Sequence, residues 1–217
     1  MKAVLIGSIG AICETSEIQR GCFNQALAEY DTGLYWNVAH YCEMIRTPGG
    51  LARLQNLGID EATAQAIHER KQALFAEAIK GGIAPRAGIT ELISECQHQS
   101  IKLGFVTTTT PATLAGIMSA LSETINFNAF DIITDASHLG DASRAKPMAD
   151  IYHHALKTLG VAAKDAIAIE DSEANAAAAQ KAGLMCLLAP GEYQLADQHR
   201  ISPVSYAKCA SLLQVAA

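Results

Sequence analysis

Ala3-Val4-Leu5-Ile6-Gly7-Ser8-Ile9-Gly10 opens the informative part of this chain, a four-residue apolar run that passes directly into small residues. Short apolar runs return at residues 103–106, 131–134, 166–169 and 185–189, separated by longer stretches with helical spacing. Strands that alternate with helices predict an α/β fold: a doubly wound, parallel, Rossmann-like sheet. Punctuation residues agree. Pro111 stands where one helix should start, Pro147 predicts a second over residues 147–159, and Gly160 and Gly183 stand where helices should stop.

About 95 residues separate the first two runs, too many for a single crossover, and their pattern is helical almost throughout. The segment therefore predicts an α-helical cap inserted after the first strand, over residues 16–80, with residues 1–15 and 81–217 forming the core. Cys22, Phe23, Ala26, Leu27 and Tyr30 make an i, i+3, i+4 stripe on the first cap helix. Gly81-Gly82 and Ala84-Pro85 suit the return hinge. Tyr35, Trp36 and Tyr41 cluster near the second cap helix and read as cap core more readily than as a ligand platform.

With 217 residues, half of them hydrophobic, the chain can bury one full core plus an insertion. The formal charge of -6, without any Lys/Arg run, excludes a polyanion-binding surface, so no nucleic-acid partner is expected. No apolar run is long enough to span a membrane, and the first residues lead straight into a strand, so a cytoplasmic protein is expected. Cys13, Cys22, Cys42, Cys96, Cys186 and Cys209 are scattered without metal-ligand spacing and read as reduced, buried thiols. His153 and His154 are adjacent on a helix, about 100° apart, and do not converge on one ion.

In open parallel sheets, ligands sit beyond the carboxyl ends of the strands, and the residues with chemistry fall there. Thr107-Thr108-Thr109-Thr110-Pro111 offers hydroxyls and free N–H groups ahead of a helix, suited to phosphate oxygens or simply to capping. Lys146 precedes Pro147 and can place one positive charge on a phosphate. Glu170-Asp171 follows an apolar strand directly, as a hard cation such as Mg²⁺ prefers, although acids at a helix start are also ordinary dipole partners.

Taken in this order, with the helical insertion, these motifs resemble the haloacid dehalogenase superfamily, and within it the CbbY-type sugar-phosphate phosphatases and beta-phosphoglucomutases. Further matching residues are Glu14-Thr15-Ser16-Glu17, Arg20, Phe23, Asn24, Pro48-Gly49-Gly50, Arg53, Asp150-Ile151-Tyr152 and Ala182-Gly183. The resemblance covers essentially the whole chain. It implies phosphate binding by Thr107, Thr108 and Lys146, Mg²⁺ binding by Glu170 and Asp171, and substrate contacts from the cap by Glu17 and Arg53. It also implies an aspartate nucleophile and an aspartate acid/base in an Asp-x-Asp pair, and those positions hold Gly7 and Ile9. Gly7 cannot attack phosphorus and Ile9 cannot move a proton, although the Ile9 carbonyl remains available to a metal. A family lysine in the cap falls on Leu51, a histidine on Gln19, and a glycine after the acidic pair on Asn175, which suits a left-handed backbone.

No substitute nucleophile is evident. Ser8 should face away from position 7 if the segment stays extended, and Cys13 and Glu14 lie past the turn. Losing a covalent nucleophile costs on the order of 10⁶ in turnover. Without the two aspartates, Glu170, Asp171 and Lys146 sum to -1, so demand for Mg²⁺ should fall and its binding weaken; Lys146 then pairs with Glu170 or Asp171, or holds phosphate directly. Three functions remain open: a non-catalytic binder of a phosphorylated small molecule, a phosphate-ester hydrolase using an unusual route, and a protein-interaction module with a vestigial site and an unknown partner.

Overall fold

The computed structural model describes residues 1–47, 49–194 and Tyr206. Pro48, in the cap motif, and Cys209 lie outside the described residues. Five strands, β1 (Ala3–Gly7), β2 (Lys102–Val106), β3 (Ile132–Thr134), β4 (Ala166–Glu170) and β5 (Met185–Leu188), form one parallel sheet in the order β3-β2-β1-β4-β5. All five expected strands are present. β1 and β4 are buried along their whole length, as continuous apolar runs in a sheet covered on both faces must be.

Side-chain alternation divides the core in two. Val4, Ile6, Phe105, Ile167 and Ile169 face one layer with α5 (Ile89–His98) and α6 (Pro111–Ala120). Ala3, Leu5, Val106 and Ala168 face the other with α7 (Asp150–Leu159) and α8 (Glu173–Lys181). Pro111 opens α6, with Thr110 capping it through a 3.3 Å bond from Thr113 N–H, and Gly160 ends α7 in the left-handed conformation at φ 66°. α7 starts three residues later than Pro147 suggests: Met148 N–H closes a turn on the Ala145 carbonyl, and helical bonding begins from the Ala149 carbonyl.

The insertion is an α-helical cap of α1 (Ser16–Glu29), α2 (Val38–Met44), α3 (Gly50–Asn56) and α4 (Glu61–Ala78). Its own core contains Phe23, Leu27, Trp36, Tyr41, Leu54 and Ile67. Trp36 stacks between Phe23, at 4.6 Å between centroids, and Tyr41, at 6.0 Å. Tyr35 and Tyr30 are exposed rather than part of this cluster, because the chain leaves helical geometry after Glu29 and turns them outward. The return passes Gly82, at φ 89°, and Arg86, whose guanidinium donates to the carbonyls of Gly10 (3.1 Å), Ala189 (2.5 Å) and Pro190 (2.6 Å). One side chain thus fixes the loops after β1 and β5 to the hinge.

Candidate functional site

β1 pairs with both β2 and β4, Gly7 lying opposite Val106 and Ile6 opposite Ile169. Their carboxyl ends therefore meet, and the sheet brings Gly7, Thr107, Glu170 and Asp171 together without help from the loops. Lys146 and Tyr152 enter from the segment before α7 and from α7 itself.

Gly7 has no side chain, and that volume is filled. A Cβ at this position would overlap Glu170 Oε1 and Cδ and the Tyr152 hydroxyl. Glu170 is fully buried; its Oε1 accepts from Lys146 Nζ and, at 2.6 Å, from Tyr152 Oη. Lys146 Nζ also donates to the Val106 carbonyl at 2.7 Å and lies 4.9 Å from the Tyr152 ring centroid. Glu170 Oε2 is buried without a hydrogen-bond partner. Burial raises the Glu170 carboxyl above its ordinary range, opposed by Lys146 and reinforced by Asp171. Burial, then the Glu170 charge, push the Tyr152 phenol upward as well.

Ile9 sits in a short 3₁₀ turn and packs on the sheet core. Ser8 departs from the extended geometry that the alternation argument needs: φ is 58° and ψ 161°, a region costly for any side chain. Its hydroxyl donates to the Gly7 carbonyl at 2.8 Å. Thr107 is buried, its hydroxyl accepting the Thr109 N–H at 3.1 Å and its own N–H donating to Thr134 Oγ1 at 3.1 Å. Thr108, next along, is half-buried. Asp171 leans over the loop after β1, where its Oδ2 would overlap a Cβ on Gly10, and its Oδ1 accepts from Asn175 Nδ2 at 2.9 Å. Asn175 is helical, within α8, and not left-handed; its place is explained by this bond and not by backbone freedom.

A cavity of about 240 Å³ lies between core and cap, with Gly10, Asp171, Ser172 and Asn175 on the core side, Gln19, Tyr41 and Arg53 on the cap side, and Glu14 at the hinge. Arg53 donates to the carbonyls of Met44 (3.0 Å) and Thr47 (2.9 Å), which hold its guanidinium in place. Glu17 is not among the residues lining this cavity. It pairs with Arg20, at 2.8 and 2.5 Å, and accepts from Tyr193; these hydrogen bonds, Arg20 first, bring its carboxyl down to about 2. The Glu14 carboxylate accepts N–H groups of Ser16 and Glu192, both at 2.8 Å, tying the loop after β5 to the start of the cap.

One charged residue escapes a reading by motif. Lys71 is 4% exposed, in the buried stripe Ala64, Ile67, Lys71, Phe75 of α4. Its Nζ donates to Gln19 Oε1 and, at 3.0 Å, to Gln72 Oε1, and lies 4.9 and 5.1 Å from the Phe23 and Phe75 ring centroids. Burial lowers its pKa to about 8. A lysine at an apolar position of a helical stripe was the available signal.

Mg²⁺ requires near-octahedral oxygen coordination. Glu170 Oε2 is one open donor and the Asp171 carboxylate another, but Glu170 Oε1 is committed to Lys146 and Tyr152, and the Lys146 ammonium repels a dication. Among the described residues no cluster of three or more His, Cys, Asp or Glu side chains is arranged to hold a metal. The donor set does not fit a tightly held ion.

A parallel five-stranded α/β core, a helical cap behind β1 and acidic, lysine and threonine motifs at the carboxyl ends define a phosphotransferase-type hydrolase scaffold. The family model for haloacid dehalogenase-like hydrolases matches residues 10–189, and the chain belongs to that family. Protein CbbY of Rhodobacter capsulatus is 31% identical over 204 residues, covering 91% of this chain and 88% of the relative. Protein CbbY of Cereibacter sphaeroides is 33% identical, with coverages of 89% and 86%. A crystal structure of a CbbY variant from Rhodobacter sphaeroides in complex with xylulose-(1,5)bisphosphate superposes with a TM-score of 0.82 at 30% identity, covering 96% of each chain; CbbY in complex with phosphate matches equally. Beta-phosphoglucomutase from Clostridium difficile, at 17% identity and a TM-score of 0.74 over the whole of both chains, shares the fold.

Proposed function

We propose that this protein is a non-catalytic member of the haloacid dehalogenase-like family that binds a phosphorylated small molecule between core and cap. The observation that carries the reading is the volume at Gly7: it holds no nucleophile, and Glu170 and Tyr152 fill it. Ile9, in the acid/base position, is partly buried and packs against the sheet core. The CbbY structures with xylulose bisphosphate and with phosphate support the ligand class.

In this reading residues 16–80 are the cap and 1–15 with 81–217 the core. Thr108, N–H groups after β2 and Lys146 receive the phosphate, Lys146 sharing its charge between the ligand and Glu170, while Arg53 offers a positive charge from the cap. Glu170 and Asp171 bind Mg²⁺ only weakly. Among the described residues five cysteines are free and buried, which suits a reducing compartment, and we place the protein in the cytoplasm.

Phosphate release from sugar mono- and bisphosphates with Mg²⁺, measured beside thermal stabilisation by the same compounds, tests this. The native protein should be stabilised without turning over. Native turnover abolished by Asp171→Ala would overturn the non-catalytic assignment. Absence of any stabilisation by phosphates would overturn the ligand class.

A further inference from the structure

Three charged side chains line the cavity between core and cap, and they are sorted by wall: Arg53 on the cap, Asp171 on the core and Glu14 at the hinge. All three are partly buried, and none is ion-paired among the described residues. Arg53 donates only to the carbonyls of Met44 and Thr47. Asp171 Oδ1 accepts from the Asn175 amide, and Oδ2 takes no bond from a described residue. Glu14 accepts only backbone N–H groups, from Ser16 and Glu192. Gly191 lies between the two acids: its N–H donates to the Asp171 carbonyl at 3.3 Å, and a Cβ on it would stand 2.7 Å from Glu14 Oε2. Both carboxylates therefore border one end of the cavity. The nearby lysines do not line it, Lys146 being bonded to Glu170 and Lys71 lying behind Gln19.

We propose that the ligand of this cavity is a zwitterion, a phosphorylated small molecule that also carries an ammonium group, which Asp171 and Glu14 receive while Arg53 draws on the phosphate. The proposal rests on the reading of this cavity as the site of a phosphorylated ligand, and narrows it. A ligand with only negative charge gains from Arg53 but loses at the acidic end, because like charges brought together away from bulk water repel strongly. A second phosphate, such as the bisphosphate in the CbbY complex has, would be placed against Asp171 and Glu14. An ammonium there reverses the sign of that contact, and its three donors suit the open Asp171 Oδ2. Unpaired acids on one wall thus reject one ligand class and accept another, which is how charge confers specificity.

Calorimetric titration of the full-length protein with matched pairs of probes tests this. Glucosamine 6-phosphate is compared with glucose 6-phosphate, phosphoethanolamine with 2-hydroxyethyl phosphate, and fructose 1,6-bisphosphate serves as the wholly anionic probe. A chelator keeps Mg²⁺ from competing for the acids, and about pH 6.5 keeps the amines charged. The amine of at least one pair should bind at least about tenfold more tightly than its hydroxyl partner, the scale of one hydrogen bond between charged groups. Asp171→Asn, which keeps the side-chain shape, should remove most of that preference, and Glu14→Gln should reduce it. No preference within either pair, or tightest binding by the bisphosphate, overturns the zwitterion and leaves the phosphorylated-ligand reading standing. A preference that survives both variants overturns its assignment to these carboxylates. Failure of every probe to bind overturns the phosphorylated-ligand reading, and this proposal with it. The pairwise comparison is made on the native protein, so it stands even if a variant folds poorly.

Discussion

The Glu170 carboxylate stands in the volume that a side chain on Gly7 would need, held there by Lys146 and Tyr152. A glycine next to a buried lysine, with no acid in its place, would leave that charge uncompensated. Glu170 supplies the compensation from the neighbouring strand.

This relationship makes Gly7 intolerant of even one methyl group. Gly7→Ala should destabilise the protein by about 1–3 kcal/mol, the usual cost of overpacking, read as a lower urea midpoint at unchanged m-value. Combining it with Tyr152→Phe removes one of the two overlaps, so the pair should be less than additive. Gly10→Ala makes a similar overlap with Asp171 Oδ2, but Asp171 is only partly buried and can rotate away, so its effect should be smaller. Equal costs at positions 7 and 10 would contradict this arrangement.

Removing either partner of the Lys146–Glu170 pair should not be equivalent. Lys146→Met strands a fully buried carboxylate and should cost about 3–5 kcal/mol, whereas Glu170→Gln leaves an amide that still accepts from Lys146 and Tyr152 and should cost less. The pH dependence has a definite sign. A carboxyl raised in the folded state keeps its proton longer there, so its contribution to stability falls as pH rises from the ordinary glutamate range through the raised value. Lys146→Met should therefore be less damaging near pH 5 than near pH 8, as chemical denaturation at the two values would read.

The fold was legible because β1 and β4 are buried on both faces and so appear as uninterrupted apolar runs, while Pro111 and Gly160 mark helix ends by their own backbone chemistry. The positions of Thr107, Glu170 and Asp171 were legible for a related reason: Glu170 ends β4, Asp171 and Thr107 directly follow strands, and strand ends converge by topology. What these residues do with their hydrogen bonds was not legible. The inward turn of Glu170 depends on Tyr152, eighteen residues away in sequence, and on space at Gly7, neither of which has a local signature. Lys71 was missed because its helix has a weak apolar stripe, into which one lysine fits unnoticed. For Ser8 the alternation argument lacked its premise, an extended chain, because the backbone turns there.

Arg86 should be a stability determinant despite standing in a hinge. Its guanidinium serves three carbonyls on two loops and stacks 5.3 Å from the Tyr206 ring centroid. Arg86→Met preserves much of the apolar stem but leaves those carbonyls without this donor, and should cost about 2–4 kcal/mol. Arg86→Lys should recover only part of that, because a single ammonium cannot reproduce the fork. Thermal melts of the three proteins decide it, and full recovery by lysine would show that charge alone suffices.

Lys71 should make stability rise with pH. Its folded pKa of about 8 lies below the ordinary 10.5, so between those values the unfolded chain binds more protons and alkali favours the folded state. Below about pH 8 the penalty is fully present, amounting to about 3 kcal/mol for a group this deeply buried. The groups facing it are Gln19 and Cys22 from α1, Arg53 from α3, and His68 and Gln72 from its own helix. Of these, only Cys22 titrates near the window: burial raises its thiol, which lowers stability as pH passes the ordinary thiol range, so the slope is read below about pH 9. The native protein should gain stability over this interval, while Lys71→Met should lose this component of the gain and be the more stable of the two near pH 7. A flat native profile with no advantage for Lys71→Met would mean that the amide oxygens and aromatic rings satisfy the ammonium fully.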